Sequence, residues 1–308
     1  MRRLLVSLLS LAFLSGLVSA QTITTQTFGT GANAFSMDFV TIGNPGNAAD
    51  TSGEPNPAGS VSYVFNLGKY EISRDIIQKA NLAGSLGITM YDMTYYGGNG
   101  ANKPATGISW LEAVKVVNYL NLSTGNPLAY KIDGSGNFQA WTPGDVGYNS
   151  TNTFRNSLAK YFLPSADEWY KGAYGSPQGV WYDYANASNS IPSAIADGTS
   201  QSSVVWHGQT GPAEIDQAGG LSEWGTMAQS GNVWEWNETI FNIDVFRTIR
   251  GGSWATDFFM LASNYSNFVD PIMPDELASG FRVTMIPEPS SLSLLALGGV
   301  VVALGRKR

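Results

Sequence analysis

The chain contains no cysteine, and this absence restricts how it can hold a fold together. No disulfide can close a loop or reinforce a small core, and no thiolate can bind a soft metal or attack a substrate. Stability must come from burial of apolar surface, with bound ions as the remaining aid. The 308 residues supply the material for this, since 43% are hydrophobic and nine are tryptophan.

The first 20 residues have the order of a secretory signal peptide. Arg2 and Arg3 give a positive start, residues 4–18 form an apolar stretch, and small residues precede a cleavage position after Ala20. We therefore expect export and removal of residues 1–20. An uncleaved signal anchor is the alternative, although the apolar stretch is short for a membrane span of ~20 residues.

Residues 286–308 have a second processing pattern. Pro287-Glu288-Pro289 precede an apolar run over 292–304, and Arg306-Lys307-Arg308 end the chain. This order resembles the PEP-CTERM sorting signal of Gram-negative bacteria that make exopolysaccharide. The resemblance implies a short transmembrane segment that anchors the chain transiently, sorting machinery as a partner, and display on the cell surface or in the extracellular matrix. A plain tail anchor is the alternative.

The charge of the chain excludes one class of partner. Charged residues make up 13% of the chain, about half of the usual ~25%. The formal net charge is −7 and the pI is about 4.7. Since nucleic-acid binding depends on clustered positive charge, we expect no nucleic acid as a partner.

Three serines mark predicted helix starts. Ser73 is a candidate N-cap for a helix that ends near residue 82. Ser109 with Glu112 and Ser165 with Glu168 form capping boxes, in which serine and glutamate satisfy each other's backbone N–H groups. Apolar residues continue on one helical face after each of them.

The rest of the chain indicates strands and loops. Residues 61–65 and 69–72 are predicted strands with Gly68 between them, and residues 42–60 form a loop rich in Gly, Pro, Asn and Asp. Regular periodicity fades after residue 174. We expect an α+β domain over 61–285, preceded by an N-terminal extension and loop over 21–60.

Six short motifs then occur in a recognisable order. They are GKYEIS at 68–73, PATGISW at 104–110, FLPSADEW at 162–169, GNVWEW at 231–236, RGGSW at 250–254 and GFRV at 280–283. The series resembles the formylglycine-generating enzyme family, also called the sulfatase-modifying factor domain. The resemblance runs from about residue 61 to 283. It implies a C-type-lectin-like α+β fold with little regular secondary structure, in which the motif tryptophans belong mostly to the core.

The metal-binding donor atoms that the reactions of that family require are missing from this chain. Aerobic members use two cysteines that bind copper and activate oxygen, and the resemblance puts these positions at Thr256 and Leu261. Neither side chain offers a soft donor for copper. Iron-dependent relatives need several histidines, whereas this chain has only His207, which we interpret as an ordinary loop residue. We expect no copper, no iron and no catalytic residue of the family.

Hydrolytic and phosphate-dependent reactions find little support in the sequence. No Gly-x-Ser-x-Gly elbow and no phosphate-binding glycine loop is present. A glycosidase needs two convergent carboxylates, and a single sequence does not show that any converge. The available ones are Glu223, Glu235, Glu238, Asp257 and Asp275.

The resemblance also implies structural calcium at the GNVWEW segment. Its ligands would be the carbonyls of Gly231 and Val233 and the carboxylate of Glu235, a mixture of oxygens that calcium prefers. The family's further ligand position holds Ala228, which has no side-chain oxygen. Glu235 could instead cap a turn or pair with Arg250.

A second family calcium site falls at YANA, residues 184–187. Asn186 and the carbonyl of Ala187 would be its ligands. The alternative is an asparagine that stabilises its own turn.

The leading hypothesis is an exported, non-catalytic member of this family that binds a glycan, such as exopolysaccharide, or an extracellular protein. The alternatives are an enzyme with altered chemistry and a structural protein of the exopolysaccharide matrix. The binding role rests on analogy of fold, so it needs support from a site.

Overall fold

The computed structural model describes residues 21–241, 246–272 and 277–287. The predicted signal peptide over 1–20 and the apolar run over 292–304 lie outside the described residues. In the part of the chain that is described, no helix has both the length and the apolar character needed to cross a bilayer.

Three α-helices begin at the predicted serines. They are α1 (Arg74–Gly84), α2 (Trp110–Ser123) and α3 (Ala166–Tyr174). The Ser73 side chain accepts a hydrogen bond from the Ile76 amide, and both predicted capping boxes are complete. The cap pattern was enough to predict these starts because it satisfies amides that have no partner within the helix.

The strands are short and scattered along the chain. In chain order they are β1 (Ile23–Phe28), β2 (Phe35–Ile42), β3 (Phe65–Gly68), β4 (Lys131–Ile132), β5 (Phe138–Gln139), β6 (Tyr161–Phe162), β7 (Ser193–Ala194), β8 (Ser203–Val204), β9 (Trp234–Phe241), β10 (Phe246–Arg250), β11 (Asn267–Val269), β12 (Ser279–Gly280) and β13 (Thr284–Met285). Two 3-10 helices, Gly31–Asn33 and Phe258–Leu261, complete the regular structure of the described residues. The α+β class and the modest amount of regular structure agree with the sequence prediction.

The larger sheet has the strand order β1-β2-β3-β13-β6. Two of its five strands come from residues 21–60, which the sequence analysis assigned to an extension and loop. Strand β2 pairs with β3 along its length, with Val40 opposite Leu67. Five of its eight residues are buried, so this segment is part of the domain and the boundary predicted at residue 61 lies inside the sheet.

The two strands predicted over 61–65 and 69–72 are replaced by the single strand β3, of which Gly68 is the last residue. All four residues of β3 are buried. A β-carbon at position 68 would lie 3.1 Å from the Val283 carbonyl oxygen. The glycine therefore permits close approach of the segment that leads into β13, which is one of the uses of glycine within strands.

The second sheet, β11-β10-β9-β12, supports the motif tryptophans. The indole of Trp236 donates to the Ile108 carbonyl at 2.6 Å, and that of Trp110 donates to the Asn237 carbonyl at 3.1 Å. Both rings are fully buried between α2 and this sheet, and Trp169, Trp234 and Trp254 are buried as well. The prediction that these five tryptophans belong to the core is confirmed.

Candidate functional site

Thr256 and Leu261, the positions to which the resemblance assigns the family's cysteines, both lie close to Gly252. A β-carbon on Gly252 would lie 2.6 Å from Leu261 Cδ2 and 2.8 Å from Thr256 Oγ1. The Thr256 hydroxyl donates to the Ser253 carbonyl and accepts from the Ser253 amide, so it closes a turn. Leu261 is fully buried. Both side chains therefore approach the same point of the backbone, where one is a turn hydroxyl and the other belongs to the core, and neither suits copper.

The 3-10 helix between these positions turns two phenylalanines to the surface. Leu261, the last residue of this helix, points inward and packs with Tyr184 and Val204. Phe258 and Phe259 remain 42% and 44% exposed. The short helix follows Asp257, whose carbonyl accepts from the Met260 amide at 3.0 Å.

A row of aromatic rings runs across this surface. Trp206 and Phe258 have ring centroids 6.3 Å apart, Phe258 and Phe259 are 6.1 Å apart, and Phe259 and Tyr265 are 5.8 Å apart. We call these four residues the aromatic row. Phe258 and Phe259 are exposed, whereas Trp206 and Tyr265 are partly buried against the core. A series of neighbouring rings with two of them open to solvent is typical of a binding surface.

Polar groups stand at one end of the aromatic row. His207 Nδ1 lies 3.2 Å from Asp257 Oδ1, and the His207 ring lies 5.2 Å from that of Trp206. The His207 amide donates to the Thr256 carbonyl at 3.1 Å, which ties the two loops together. His207 is an exposed loop residue, as predicted, but it shares a surface with the residues that replace the cysteines.

Glu235, a predicted calcium ligand, has cationic and N–H partners of its own. Arg282 donates to both carboxylate oxygens, from Nε at 2.5 Å and from Nη2 at 2.6 Å, and the Trp169 indole donates at 2.7 Å. Both members of the ion pair are completely buried. The donor set does not fit a calcium ion here, because the carboxylate is already neutralised by a guanidinium.

The alternative pairing of Glu235 with Arg250 is not found either. Arg250 lies opposite Glu235 across the β9–β10 pair, but its guanidinium lies over the Tyr170 ring and donates to the Tyr265 carbonyl. Ala228, at the missing ligand position, is buried with φ of +69°.

The ion pair extends to a second buried carboxyl group that the sequence analysis did not single out. Glu71 accepts from Asn232 Nδ2 at 2.5 Å and from the Val233 amide at 3.1 Å. Burial, followed by the nearby negative charge of Glu235, raises the pKa of Glu71 well above its ordinary value. Glu71 and Arg282 belong to the GKYEIS and GFRV motifs, so the motifs carried the signal although no role could be assigned from them.

At the second predicted calcium site, Asn186 offers a free oxygen. Asn186 Nδ2 donates to the Gln201 carbonyl at 2.9 Å, while its Oδ1 is buried without a hydrogen-bond partner. Ala187 follows in the left-handed region, with φ of +56°. An orphaned amide oxygen is a ligand type that calcium accepts. Among the described residues, no group of three or more His, Asp or Glu side chains gathers at this or any other point.

The carboxylates considered for a glycosidase are engaged in separate contacts. Glu238 is buried and accepts from Tyr130 and Asn152. Glu223 accepts from the Tyr182 hydroxyl at 3.3 Å, and Asp257 faces His207. Asp275 lies outside the described residues.

The comparisons with known families agree with the motifs. The model of the sulfatase-modifying factor enzyme 1-like domain matches residues 40–285. The chain belongs to this family. The match begins within β2, which accords with the place of that strand in the sheet. The model of the PEP-CTERM protein-sorting motif matches residues 286–308, so the tail is a sorting signal for export to the envelope or surface of a Gram-negative cell and implies an interaction with sorting machinery.

Solved structures with a similar fold share little sequence with this sulfatase-modifying factor domain. CarF is 18% identical with a TM-score of 0.61, covering 82% of this chain and 99% of its own. Treponema denticola variable protein 1 is 16% identical with a TM-score of 0.56, covering 85% and 99%. PvdO from Pseudomonas aeruginosa is 13% identical with a TM-score of 0.53, covering 85% and 98%. No curated protein sequence matches the chain. At these identities the likeness supports the fold alone.

Proposed function

We propose that this chain is a non-catalytic member of the sulfatase-modifying factor family that binds a glycan at the cell surface or in the extracellular matrix. The observation that carries the proposal is the aromatic row, whose two exposed phenylalanines lie between Thr256 and Leu261, the positions to which the resemblance assigns the copper-binding cysteines. The sorting signal supports a location outside the cell, where exopolysaccharide is available as a ligand.

The chemistry of the surface suits a sugar. A pyranose ring has apolar C–H faces and polar hydroxyl edges, so it can lie on an aromatic ring while its edge forms hydrogen bonds. Phe258 and Phe259 supply exposed rings, and His207 and Asp257 supply donors and acceptors beside them. Few rotatable bonds are frozen when such rings bind, which keeps the entropic cost of association low.

The oxidative reaction of the family is not expected. Formylglycine formation with copper requires soft thiolate donors, and the full chain offers no cysteine at Thr256, at Leu261 or elsewhere. Incubation with a sulfatase-motif peptide, oxygen and copper is expected to yield no formylglycine by mass spectrometry. Formation of that product would refute the non-catalytic part of the proposal.

Calorimetry with matrix polysaccharides tests the binding part. We expect the full chain to bind a polysaccharide from the extracellular matrix, and Phe258→Ala with Phe259→Ala to weaken binding at least tenfold. Leu82→Ala is the matched control, because Leu82 is a highly exposed apolar residue of α1 and is not one of the residues of the aromatic row. Equal binding by both variants would place the ligand elsewhere.

A calcium ion at Asn186 and Ala187 is a further part of the proposal. The buried, unpartnered Oδ1 of Asn186 supports it, and the Ala187 carbonyl is the adjacent oxygen. The ion would be structural, since hard oxygen ligands without an open acidic cluster hold a fold together rather than activate water.

A further inference from the structure

A second set of exposed aromatic residues lies on the loop over residues 91–98, which we call the tyrosine loop. Tyr95 is 86% exposed, and Tyr91 and Tyr96 are 39% and 36% exposed. The loop sequence, YDMTYYGG, combines tyrosine with small and polar residues. This composition is typical of binding loops, because tyrosine offers a large amphipathic surface with only two side-chain torsions to freeze.

Hydrogen bonds within residues 92–99 order the tyrosine loop. Met93 is buried, and its carbonyl accepts from the Tyr96 amide at 2.7 Å and the Gly98 amide at 2.9 Å. Asp92 Oδ1 accepts from the Thr94 hydroxyl at 2.7 Å and from Asn99 Nδ2 at 2.6 Å. A loop that is ordered before binding loses less conformational entropy when its ligand arrives.

The tyrosine loop adjoins the loop that carries one end of the aromatic row. A β-carbon on Gly97 would lie 3.6 Å from Gly211 Cα, and Lys103 Nζ donates to the Pro212 carbonyl at 2.6 Å. Gly211 comes four residues after His207, so the chain separates them by at most ~14 Å. The two aromatic sets are therefore close enough for one extended ligand.

We propose that the tyrosine loop and the aromatic row form one site that binds several consecutive sugars of an uncharged glycan chain. This inference rests on the proposed function and specifies its ligand class. Tyrosine rings with free hydroxyls can stack on a sugar and bond its edge, and the only carboxylate within the loop, that of Asp92, is already bonded to Thr94 and Asn99. The net charge of −7 disfavours an acidic polysaccharide.

Dependence of affinity on oligosaccharide length tests the inference. The full chain is titrated by calorimetry with neutral glucan, mannan and galactan oligosaccharides, from disaccharide to octasaccharide. We expect affinity to rise with length for at least one series. Tyr95→Ala is expected to lower octasaccharide affinity about tenfold and to leave disaccharide affinity unchanged, whereas Phe258→Ala lowers both. Leu82→Ala again serves as the control.

The possible failures are distinct. If Phe258→Ala weakens every oligosaccharide and Tyr95→Ala weakens none, the extended site is wrong and the proposed function stands. If no neutral oligosaccharide binds but an acidic one does, the ligand class is wrong. If no glycan binds at all, or if Tyr95→Ala impairs only capture of a secreted protein, both the inference and the glycan-binding function are overturned.

Discussion

At the scale of single residues, the buried ion pair of Glu235 and Arg282 has a large expected effect on stability. Removing one partner leaves an uncompensated charge in the core, which costs about 3–5 kcal/mol. We therefore expect Arg282→Met to lower the free energy of unfolding in urea by about that amount. Lys79→Met is the control, because Lys79 forms an exposed ion pair with Asp75 that is worth at most ~0.5 kcal/mol. Similar losses of unfolding free energy in the two variants would contradict a buried ion pair between Glu235 and Arg282.

Glu71 gives the fold a pH dependence with a definite sign. Because its pKa is raised in the folded state, the folded chain retains a proton that the unfolded chain releases. The stability contributed by Glu71 is complete below the pKa of the unfolded carboxyl, ~4.3, and is lost as the pH rises toward the folded value.

Urea denaturation between pH 4.5 and 8 measures this effect as a difference between wild type and Glu71→Gln. The variant is expected to be less stable at low pH, since its amide NH2 meets the N–H donors of Asn232 or Val233. The difference should shrink as the pH rises, because only the wild type loses its proton-dependent stability. A constant difference across the range would show that Glu71 is ionised in the folded state.

At the scale of elements, the sequence predicted those features that depend on contacts between residues close together in the chain. The helices followed from Ser73, Ser109 and Ser165 because a cap is a contact within a few residues. Strand β2 pairs locally with β1, but it was not assigned to the domain, because its partner β3 is more than 20 residues away in sequence beyond a loop rich in glycine and proline. Pairing over such a distance leaves no local pattern beyond alternation.

The candidate site likewise has features that the sequence could predict and features that it could not. The positions of Thr256 and Leu261 could be assigned from the motif order, because both follow RGGSW at a fixed spacing. The aromatic row could not, since Trp206 and Phe258 lie on different loops and only folding brings them together. The partner of Glu235 was mispredicted for the same reason, because Arg282 follows it by 47 residues.

The loop over 251–261 depends on glycine at position 252. Gly252 has φ of +74°, and a β-carbon there would collide with Leu261 and Thr256. Gly252→Ala is expected to cost about 2–4 kcal/mol from backbone strain and overpacking. Gly208→Ala is the matched control, with φ of +71° and nothing within 4 Å, so it should cost only the backbone term of ~1–2 kcal/mol. Equal losses in thermal or urea unfolding would mean that the pocket around Gly252 is not packed.

At the scale of the whole molecule, a chain without disulfides holds a loop-rich fold by two means. Five clusters of buried hydrophobic residues are distributed across the described part of the chain, so apolar burial extends beyond the two sheets. Buried polar networks such as the one around Glu71 and Arg282 then join distant segments. Loops that carry little regular structure still need specific contacts to be ordered, and buried hydrogen bonds to charged groups provide them.

Bound calcium would be a third means of stabilising the fold, and its contribution can be measured from the melting temperature of the whole chain. If Asn186 and Ala187 hold an ion, a chelator lowers the melting temperature, because removal of a ligand that binds only the folded state removes its mass-action stabilisation. Asn186→Ala is expected to melt at the lower temperature with or without chelator, and Asn186→Asp to keep the response, since it retains an oxygen ligand. Glu235→Gln should be destabilised and still respond to the chelator, because Glu235 pairs with Arg282 and does not bind the ion. A wild-type melting temperature that is unchanged by chelator would remove calcium from the proposal and leave the stability of the fold to apolar burial and its buried ion pairs.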